Sequence, residues 1–211
     1  MSTELTNSQV NEMLQAVAQA VIDNVDVLTD ADLATGDGDH GIGMRRGFEA
    51  VAETLQTAPD LSVEDAFKKT GMAIMSKTGG AAGAVFGTLF RGGAKAFAGH
   101  DTLNTVRFGE FLTLSGAAVA KRGGVEEGAK TMLDALAPAA RAVSETQSDD
   151  LVEAFTAAET AARSGVEASK AMIATTGKAR SLGERSIGHP DPGAISVLII
   201  LGAMRSYGAS L

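Results

Sequence analysis

The chain has no cysteine and no tryptophan, and only 4% of its 211 residues are aromatic. Without thiols it forms neither disulfides nor thiolate metal sites, so any metal must be held by oxygen or imidazole. The same absence fits a reducing compartment, and the cytoplasm is the expected location. Basic excess is also missing: 26 acidic residues face 18 Lys and Arg, a formal net charge of −8. Nucleic acid is therefore not an expected partner, because phosphate backbones require a basic footprint. No apolar run is long enough to cross a membrane. The longest, Ala194 to Met204 interrupted by Ser196, falls well short of the ~20 residues a spanning helix needs and is expected as a buried core helix. Met1 to Gln9 lacks a basic stretch followed by an apolar one, so it does not read as a signal peptide.

What the chain has in quantity is small residues, including 25 glycines. Small side chains let helices approach closely, and apolar positions recur at helical spacing almost throughout. Val10, Met13, Leu14, Val17, Val21, Val25 and Leu28 draw one stripe. A second helix is predicted over Ile42–Leu55, a third from an N-cap at Ser62 to Met75, and a fourth from Ala82 to Phe97. Asn104 or Thr105 caps a fifth that runs past Val119. A sixth spans Lys130–Val143 with Pro138 inside it, a seventh runs from a cap at Ser148 towards Ile173, and Pro192 opens an eighth. Met13, Met72 and Met75 are expected in the core. Eight helices with no convincing strand and no linker give one all-α domain over residues 1–211, its neighbouring helices antiparallel. Alternate junctions then lie at one end, and these carry Asp37 and Asp39, Gly79–Gly83, Gly123–Lys130 and Gly183–Pro192.

The densest chemistry is in Asp32-Leu-Ala-Thr-Gly36-Asp37-Gly38-Asp39-His40-Gly41. Its second half satisfies G-x-G-x-x-G, yet a dinucleotide loop presents bare amides after a buried strand. Here two carboxylates would repel a pyrophosphate, and Leu28–Leu33 is too polar for a central strand. Acids approach a polyphosphate only across a cation, so the loop reads as a hard-oxygen site for Mg²⁺ or Ca²⁺. The alternative is that Asp37 and Asp39 merely cap the second helix.

Two more glycine-rich junctions allow similar pairs of readings. Thr78-Gly-Gly-Ala-Ala-Gly83 opens the fourth helix and either exposes amides to a phosphate or permits tight packing. It is not a Walker A loop, since G-x-x-x-x-G-K-[ST] is absent. In Gly183-Glu-Arg185-Ser-Ile-Gly-His-Pro-Asp191-Pro-Gly193, Arg185 suits either a phosphate clamp or a surface ion pair. Asp191 either accepts from a ribose or caps the eighth helix. His40 suits either a metal ligand or a phosphate contact. No Ser-His-Asp or Cys-His arrangement suggests covalent hydrolysis.

In this order, and over nearly the whole chain, the motifs resemble the nucleotide-binding L subunit of dihydroxyacetone kinase. The match rests on Gly36-Asp-Gly-Asp-His-Gly41 with Met44 and Gly47-Phe48, and on Gly79-Gly80-Ala-x-Gly83 with Gly87-Thr88. It continues through Lys130-Thr-Met-Leu-Asp134 with Pro138, and Leu182-Gly-Glu-Arg-Ser-Ile-Gly-His189 before Asp191-Pro-Gly-Ala194. The resemblance implies a barrel of eight antiparallel helices with ADP or ATP and two Mg²⁺ at one end. Carried onto this chain, it gives the metals to Asp32, Asp37 and Asp39. The phosphates fall to His40, Gly41, Ile42, Gly43 and the Gly80, Ala81 and Ala82 backbone. The base falls to Gly123, Thr131 and Met132, and the cover to Lys178, Arg185, Asp191, Pro192 and Gly193. Arg185 and His40 are the implied catalytic groups.

The resemblance further implies partners. The ketose is bound on a separate K-type subunit, and in some members a phosphotransferase-system M-type subunit recharges the nucleotide. Gly43, Ala82, Ala129, Lys178, Arg180 and Pro190 depart from the family pattern, so another small ketose, such as a tetrulose, is an expected variant substrate. Two rival readings remain. One is the ATP-binding domain of a fatty-acid kinase, against which His40 and the short chain argue. The other is an ADP-loaded module that binds a transcription regulator and transfers nothing.

Overall fold

In the computed structural model, which describes residues 3–211, nine α-helices lie among the described residues. They are α1 (Asn7–Asp23), α2 (Val25–Leu33), α3 (His40–Gln56), α4 (Val63–Lys77), α5 (Gly80–Gly93), α6 (Thr105–Gly123), α7 (Leu133–Glu145), α8 (Leu151–Ser169) and α9 (Pro192–Gly208). Each long helix packs on its successor, and α9 packs back on α1, so α1 and α3 to α9 close into a ring of eight. An even number of up-and-down helices closes with every neighbour antiparallel. The all-α single domain expected above is what forms. Among the described residues no helix is long and apolar enough to cross a membrane.

The few aromatics are spent on the barrel axis. All eight phenylalanines are buried. Phe67 is the hub, with its ring 4.8 Å from Phe97 and 4.7 Å from Phe111, while Phe108 meets Phe155 edge-on at 4.7 Å. Glycine at the helix contacts lets the wall close tightly. A Cβ at Gly165 of α8 would lie 1.9 Å from the Asp134 carbonyl oxygen of α7, and one at Gly87 of α5 would lie 2.8 Å from the Gly71 carbonyl of α4.

Several expected boundaries shift. The first stripe breaks at Asn24, so it becomes α1 and α2, with the Asn24 side chain donating to the Ala20 carbonyl (2.8 Å). A short antiparallel ribbon exists after all: β1 (Glu4–Thr6) pairs with β2 (Thr102–Asn104), Leu5 opposite Leu103. Both leucines are buried, and at three residues per strand the ribbon is too brief for alternation to announce it. The fourth helix stops at Gly93 and finishes as a 3₁₀ turn, Ala94–Phe97. The sixth starts at Leu133 rather than Lys130, which has φ +59°. Asp150, not Ser148, caps α8, accepting from the Val152 amide at 2.9 Å. That helix ends at Ser169, short of Ile173. Pro138 does lie within α7, and Pro192 does open α9. The apolar run in α9 is buried on one side only, against α1, α7 and α8. Met13 is buried, but Met72 faces outward and is 58% exposed.

Candidate functional site

The four junctions α2–α3, α4–α5, α6–α7 and α8–α9 meet at one end of the barrel, as the up-and-down order requires. The ribbon lies at the other. Asp32 sits on the last turn of α2, buried, and its Oδ2 accepts the His40 amide at 3.2 Å. Its carbonyl accepts from the Thr35 and Gly36 amides, at 3.0 and 2.5 Å, which makes a tight turn. A Cβ at Gly36 would stand 2.5 Å from Asp32 Oδ1, so only glycine leaves room for this carboxylate. Gly38, at φ +77°, then turns the chain so that Asp37 and Asp39 flank it.

Asp32, Asp37 and Asp39 bring one carboxylate oxygen each within 4.8 Å of the others. Neither exposed aspartate caps α3 through its side chain, so the capping alternative does not hold for Asp39. Three converging carboxylates repel one another unless a cation lies among them. Part of that role falls to Lys178, whose ammonium donates to Asp37 Oδ1 (2.5 Å) and Asp39 Oδ2 (2.9 Å). The pairing holds the Asp37 carboxyl below the usual range and raises the lysine. An all-oxygen set with one buried and two exposed carboxylates fits Mg²⁺, which keeps several waters and takes few protein ligands.

His40 begins α3. Its Nε2 lies 2.8 Å from Ser196 Oγ of α9, and that hydroxyl donates to the Pro192 carbonyl at 3.1 Å. With the hydroxyl proton so used, the imidazole donates through Nε2–H and leaves Nδ1 as an acceptor. Burial lowers its pKa, outweighing the pull of Asp32 and Asp39, and favours the neutral ring.

The second glycine junction lies directly against this one. A Cβ at Gly47 would approach Thr78 Oγ1 to 2.0 Å, and one at Gly43 would be 3.2 Å from the Thr78 carbonyl. Arg46 donates to that same carbonyl at 3.2 Å. Both readings of Gly79–Gly83 are realised by different residues. Gly83 packs on Thr78, whereas Gly79 (φ +76°) and Gly80 (φ +56°) face open space. Because α5 has no side-chain cap, the amides of Gly80, Ala81 and Ala82 at its first turn are left without intrahelical acceptors. Two helix N-termini, of α3 and α5, therefore stand side by side next to the acids, a pair of positive dipole ends suited to an anion.

The opposite wall comes from α6–α7 and α8–α9. Gly123 ends α6, and Gly124 caps it in the left-handed region. Thr131 and Met132 precede α7, and a Cβ at Gly193 would lie 3.2 Å from Met132 Cβ, so this junction and the start of α9 touch. Asp191 caps α9, accepting from the Ala194 amide at 2.8 Å, and burial of its carboxyl moves its pKa from the ordinary 3.8 up to about 7. The residue retains some surface; it is the carboxylate that is enclosed. Lys178 and Arg185 lie on a 3₁₀ segment, Lys178–Ser186, kinked at Gly183. Lys178 reaches across to the acids, but Arg185 is exposed, and no hydrogen bond or ion pair holds its guanidinium among the described residues. The structure thus joins Asp32, Asp37, Asp39, His40 and Lys178 by direct bonds and leaves Arg185 free.

Sequence reasoning passed over Ser196, which orients His40, and the buried Lys130, Asp134, Ser169 and Ser186 behind the second wall. Lys130 was assigned to a helix start, where a solvated lysine is ordinary. The available signal was the glycine two residues before it, which marks a turn rather than a helix.

The DAK2 domain family matches residues 34–206, beginning two residues after Asp32. The chain is 35% identical over 199 residues to the ADP-binding subunit DhaL of PEP-dependent dihydroxyacetone kinase from Escherichia coli, covering 93% of this chain and 95% of that protein. It is 36% identical to the corresponding subunit of dihydroxyacetone kinase 1 from Listeria innocua, over 90% of this chain and 91% of the relative. L-erythrulose 1-kinase from Mycolicibacterium smegmatis is 31% identical over 92% of this chain, which spans only 34% of that longer protein. The crystal structure of the dihydroxyacetone kinase of C. freundii superposes with a TM-score of 0.73 at 25% identity, over 93% of this chain and 34% of that one. By sequence over most of its length and by fold, the chain belongs to the DAK2 domain family.

Proposed function

We propose that the chain is the nucleotide- and magnesium-binding subunit of a small-ketose kinase, passing a phosphoryl group to dihydroxyacetone or a related ketose held on a separate K-type subunit. The observation that carries this reading is the three-carboxylate cluster set against two helix N-termini whose N-cap residues make no side-chain bond to them. That combination suits a polyphosphate bridged by cations. The relatives named as ADP-binding subunits of dihydroxyacetone kinase, and as erythrulose kinases, support the same phosphotransferase chemistry.

Asp32, Asp37 and Asp39 hold two Mg²⁺, which when bound neutralise charge on the phosphate oxygens. The free amides of Gly41 and Ile42, with Gly43 beside them donating to the Asp39 carbonyl (2.9 Å), and the amides of Gly80, Ala81 and Ala82 bind the phosphates of ADP or ATP. His40 stays neutral and, oriented by Ser196, presents Nδ1 as an acceptor rather than a charge. Gly123, Thr131 and Met132 border the base, and Asp191, Pro192 and Gly193 close the second wall. Lys178 exchanges its carboxylate partners for the nucleotide, and Arg185, unpartnered in the nucleotide-free chain, is available to the transferring group. Such a site needs no nucleophile of its own, because phosphoryl transfer is driven by placement and charge neutralisation.

The K-type subunit supplies the acceptor, and an M-type phosphotransferase subunit is the partner where ADP stays bound. A transcription regulator is a further partner for the loaded form. The cytoplasm, where nucleotide is available, is the place of action.

The test is reconstitution. Purified chain, Mg²⁺ and a K-type subunit should phosphorylate dihydroxyacetone or erythrulose with ATP in one arm and a phosphotransferase donor in the other. Tight Mg²⁺-dependent ADP binding without transfer in either arm would leave a regulatory module as the better reading.

A further inference from the structure

Behind the second wall lies a buried cation that the reading above does not use. Lys130 is 3% exposed and sits at φ +59°, an uncommon conformation for any residue but glycine. Its Nζ donates to three carbonyls: Ser169 (2.9 Å) at the end of α8, Met172 (3.1 Å) just beyond it, and Ser186 (2.6 Å) at the end of the 3₁₀ segment. Three bonds use all three ammonium protons. No carboxylate touches the ammonium; Asp134 and Asp191 act on it only through space.

The unusual backbone of Lys130 is held from both sides. Asp134 takes the Gly128 amide on Oδ1 (2.5 Å) and the Thr131 amide on Oδ2 (2.6 Å), and the Ala129 carbonyl accepts from the Thr175 amide (3.2 Å). The residues that Lys130 grips are themselves anchors. Ser186 Oγ accepts from the Ala174 amide (3.0 Å), and Ser169 Oγ accepts from the Asp191 amide (3.0 Å). One ammonium thus gathers three carbonyls of the return from α8 to α9, which the Gly188 amide also closes on the Lys170 carbonyl (2.7 Å), while the outer part, with Lys178 and Arg185, stays exposed.

We propose that Lys130 is a positioning residue for nucleotide retention. It ties Ser169 and Met172 at the start of the return to Ser186 near its end, and through Ser169 to the Asp191 amide, so that Lys178, Arg185 and the Asp191 turn are presented over the phosphate site. The role requires three tetrahedral donors converging on buried carbonyls, which methionine cannot supply and the planar arginine fork does not match. The nucleotide arm of this inference rests on the function proposed above; the anchoring arm does not.

Hydrogen exchange of the full-length chain without nucleotide tests the anchoring. In Lys130→Met, the amides of Ala174, Ile187 and Gly188 should exchange at least about tenfold faster, with α3 to α5 unchanged, since three bonds to a charged donor are lost. Unchanged exchange of those amides overturns the proposal. Stopped-flow release of Mg²⁺·ADP tests the positioning. Release should accelerate by about tenfold or more, with Mg²⁺ affinity of the acid cluster kept within about twofold. Equal loss of both, or neither, overturns it. If Lys130→Met does not fold, Ser186→Ala removes the neighbouring anchor and leaves the lysine in place. It should shift exchange and release in the same direction by a smaller factor, and wild-type behaviour in both would again overturn the proposal. Should the wild-type chain bind no ADP, the proposed function fails while the exchange experiment still decides the anchoring.

Discussion

The two walls of the site are built by different means. The α2–α3 and α4–α5 wall is made largely of glycine. Thr78 lies where side chains at Gly43, Gly47 and Gly83 would have to be, and Asp32 occupies the space that glycine at position 36 leaves. The α6–α7 and α8–α9 wall is made of buried polar side chains: Asp134 bonds the local turn before it, while Lys130, Ser169 and Ser186 bond backbone 12 or more residues away. The first construction yields a fixed cradle, because glycine backbone packed directly on Thr78 and Asp32 leaves little slack. The second yields a cover whose hold depends on a few replaceable bonds. That division suits a site that must keep the phosphates still and yet admit and release a nucleotide.

The largest effect is expected from the fixed wall. Asp37→Ala should weaken Mg²⁺-dependent ADP binding by about 100-fold or more, with helical content unchanged, because the exposed carboxylate bonds only the exposed Lys178 and its own turn. Calorimetry with and without Mg²⁺ decides it. Wild-type affinity would show that the acids do not hold metal, and the contrast between the walls would lose its chemical meaning.

Next comes the rigidity of that wall. Gly47→Ala places a Cβ 2.0 Å from Thr78 Oγ1, so Thr78 must turn away about χ1 or α3 and the end of α4 must separate. A cost of roughly 2–3 kcal/mol in denaturant unfolding is expected, with ADP affinity falling in parallel as Thr78 moves the Gly79–Gly80 turn. Thr78 Oγ1 is buried without a hydrogen-bond partner, so moving it breaks no bond and the cost is one of packing alone. Stability near wild type would mean that this wall yields as readily as the other.

The cover should instead respond to pH. The Asp191 carboxyl titrates near 7 in the folded chain against an ordinary 3.8, driven first by burial and then opposed by the Ala194 amide. Between those values the folded state holds a proton that the unfolded state has lost. The contribution of Asp191 is therefore most favourable below about pH 4, declines as pH rises to about 7, and is flat beyond. Asp191→Asn keeps the cap and removes the titration. Without nucleotide, it should match wild type at pH 4 and exceed it by roughly 1–2 kcal/mol at pH 8, a discounted figure because the residue keeps some surface. Parallel pH profiles for the two proteins would place the carboxylate in contact with solvent.

The difference between the walls also decides what was legible in the sequence. The first wall is written in consecutive residues: Asp32 to Gly41 and Thr78 to Gly83 carry their geometry in local turns and helix starts, so the acids and amides were found from type and spacing. The antiparallel order of the long helices followed from periodicity and short connections, whereas their closure into a ring was implied only by the family resemblance. The second wall and its link to the first depend on pairs separated by many residues, Lys130 with Ser186 and His40 with Ser196, and no spacing rule connects them. The break at Asn24 was equally hidden, because the apolar stripe continues through it in register.

The smallest effect is expected where the walls meet. Lys178 joins the cover to the acids through Asp37 and Asp39, but all three side chains are more than half exposed. Solvent and salt screen such a pair, and ordering a lysine costs entropy. Lys178→Ala should therefore shift the thermal midpoint of the nucleotide-free chain by no more than about 2 °C. It should also raise the apparent affinity for Mg²⁺ alone by a few-fold, because the ammonium no longer competes for the carboxylates. Titration of Mg²⁺ followed by calorimetry gives the sign. A weaker Mg²⁺ affinity would mean that Lys178 organises the acids for the metal rather than occupying its place, and the cover would then belong to the cradle.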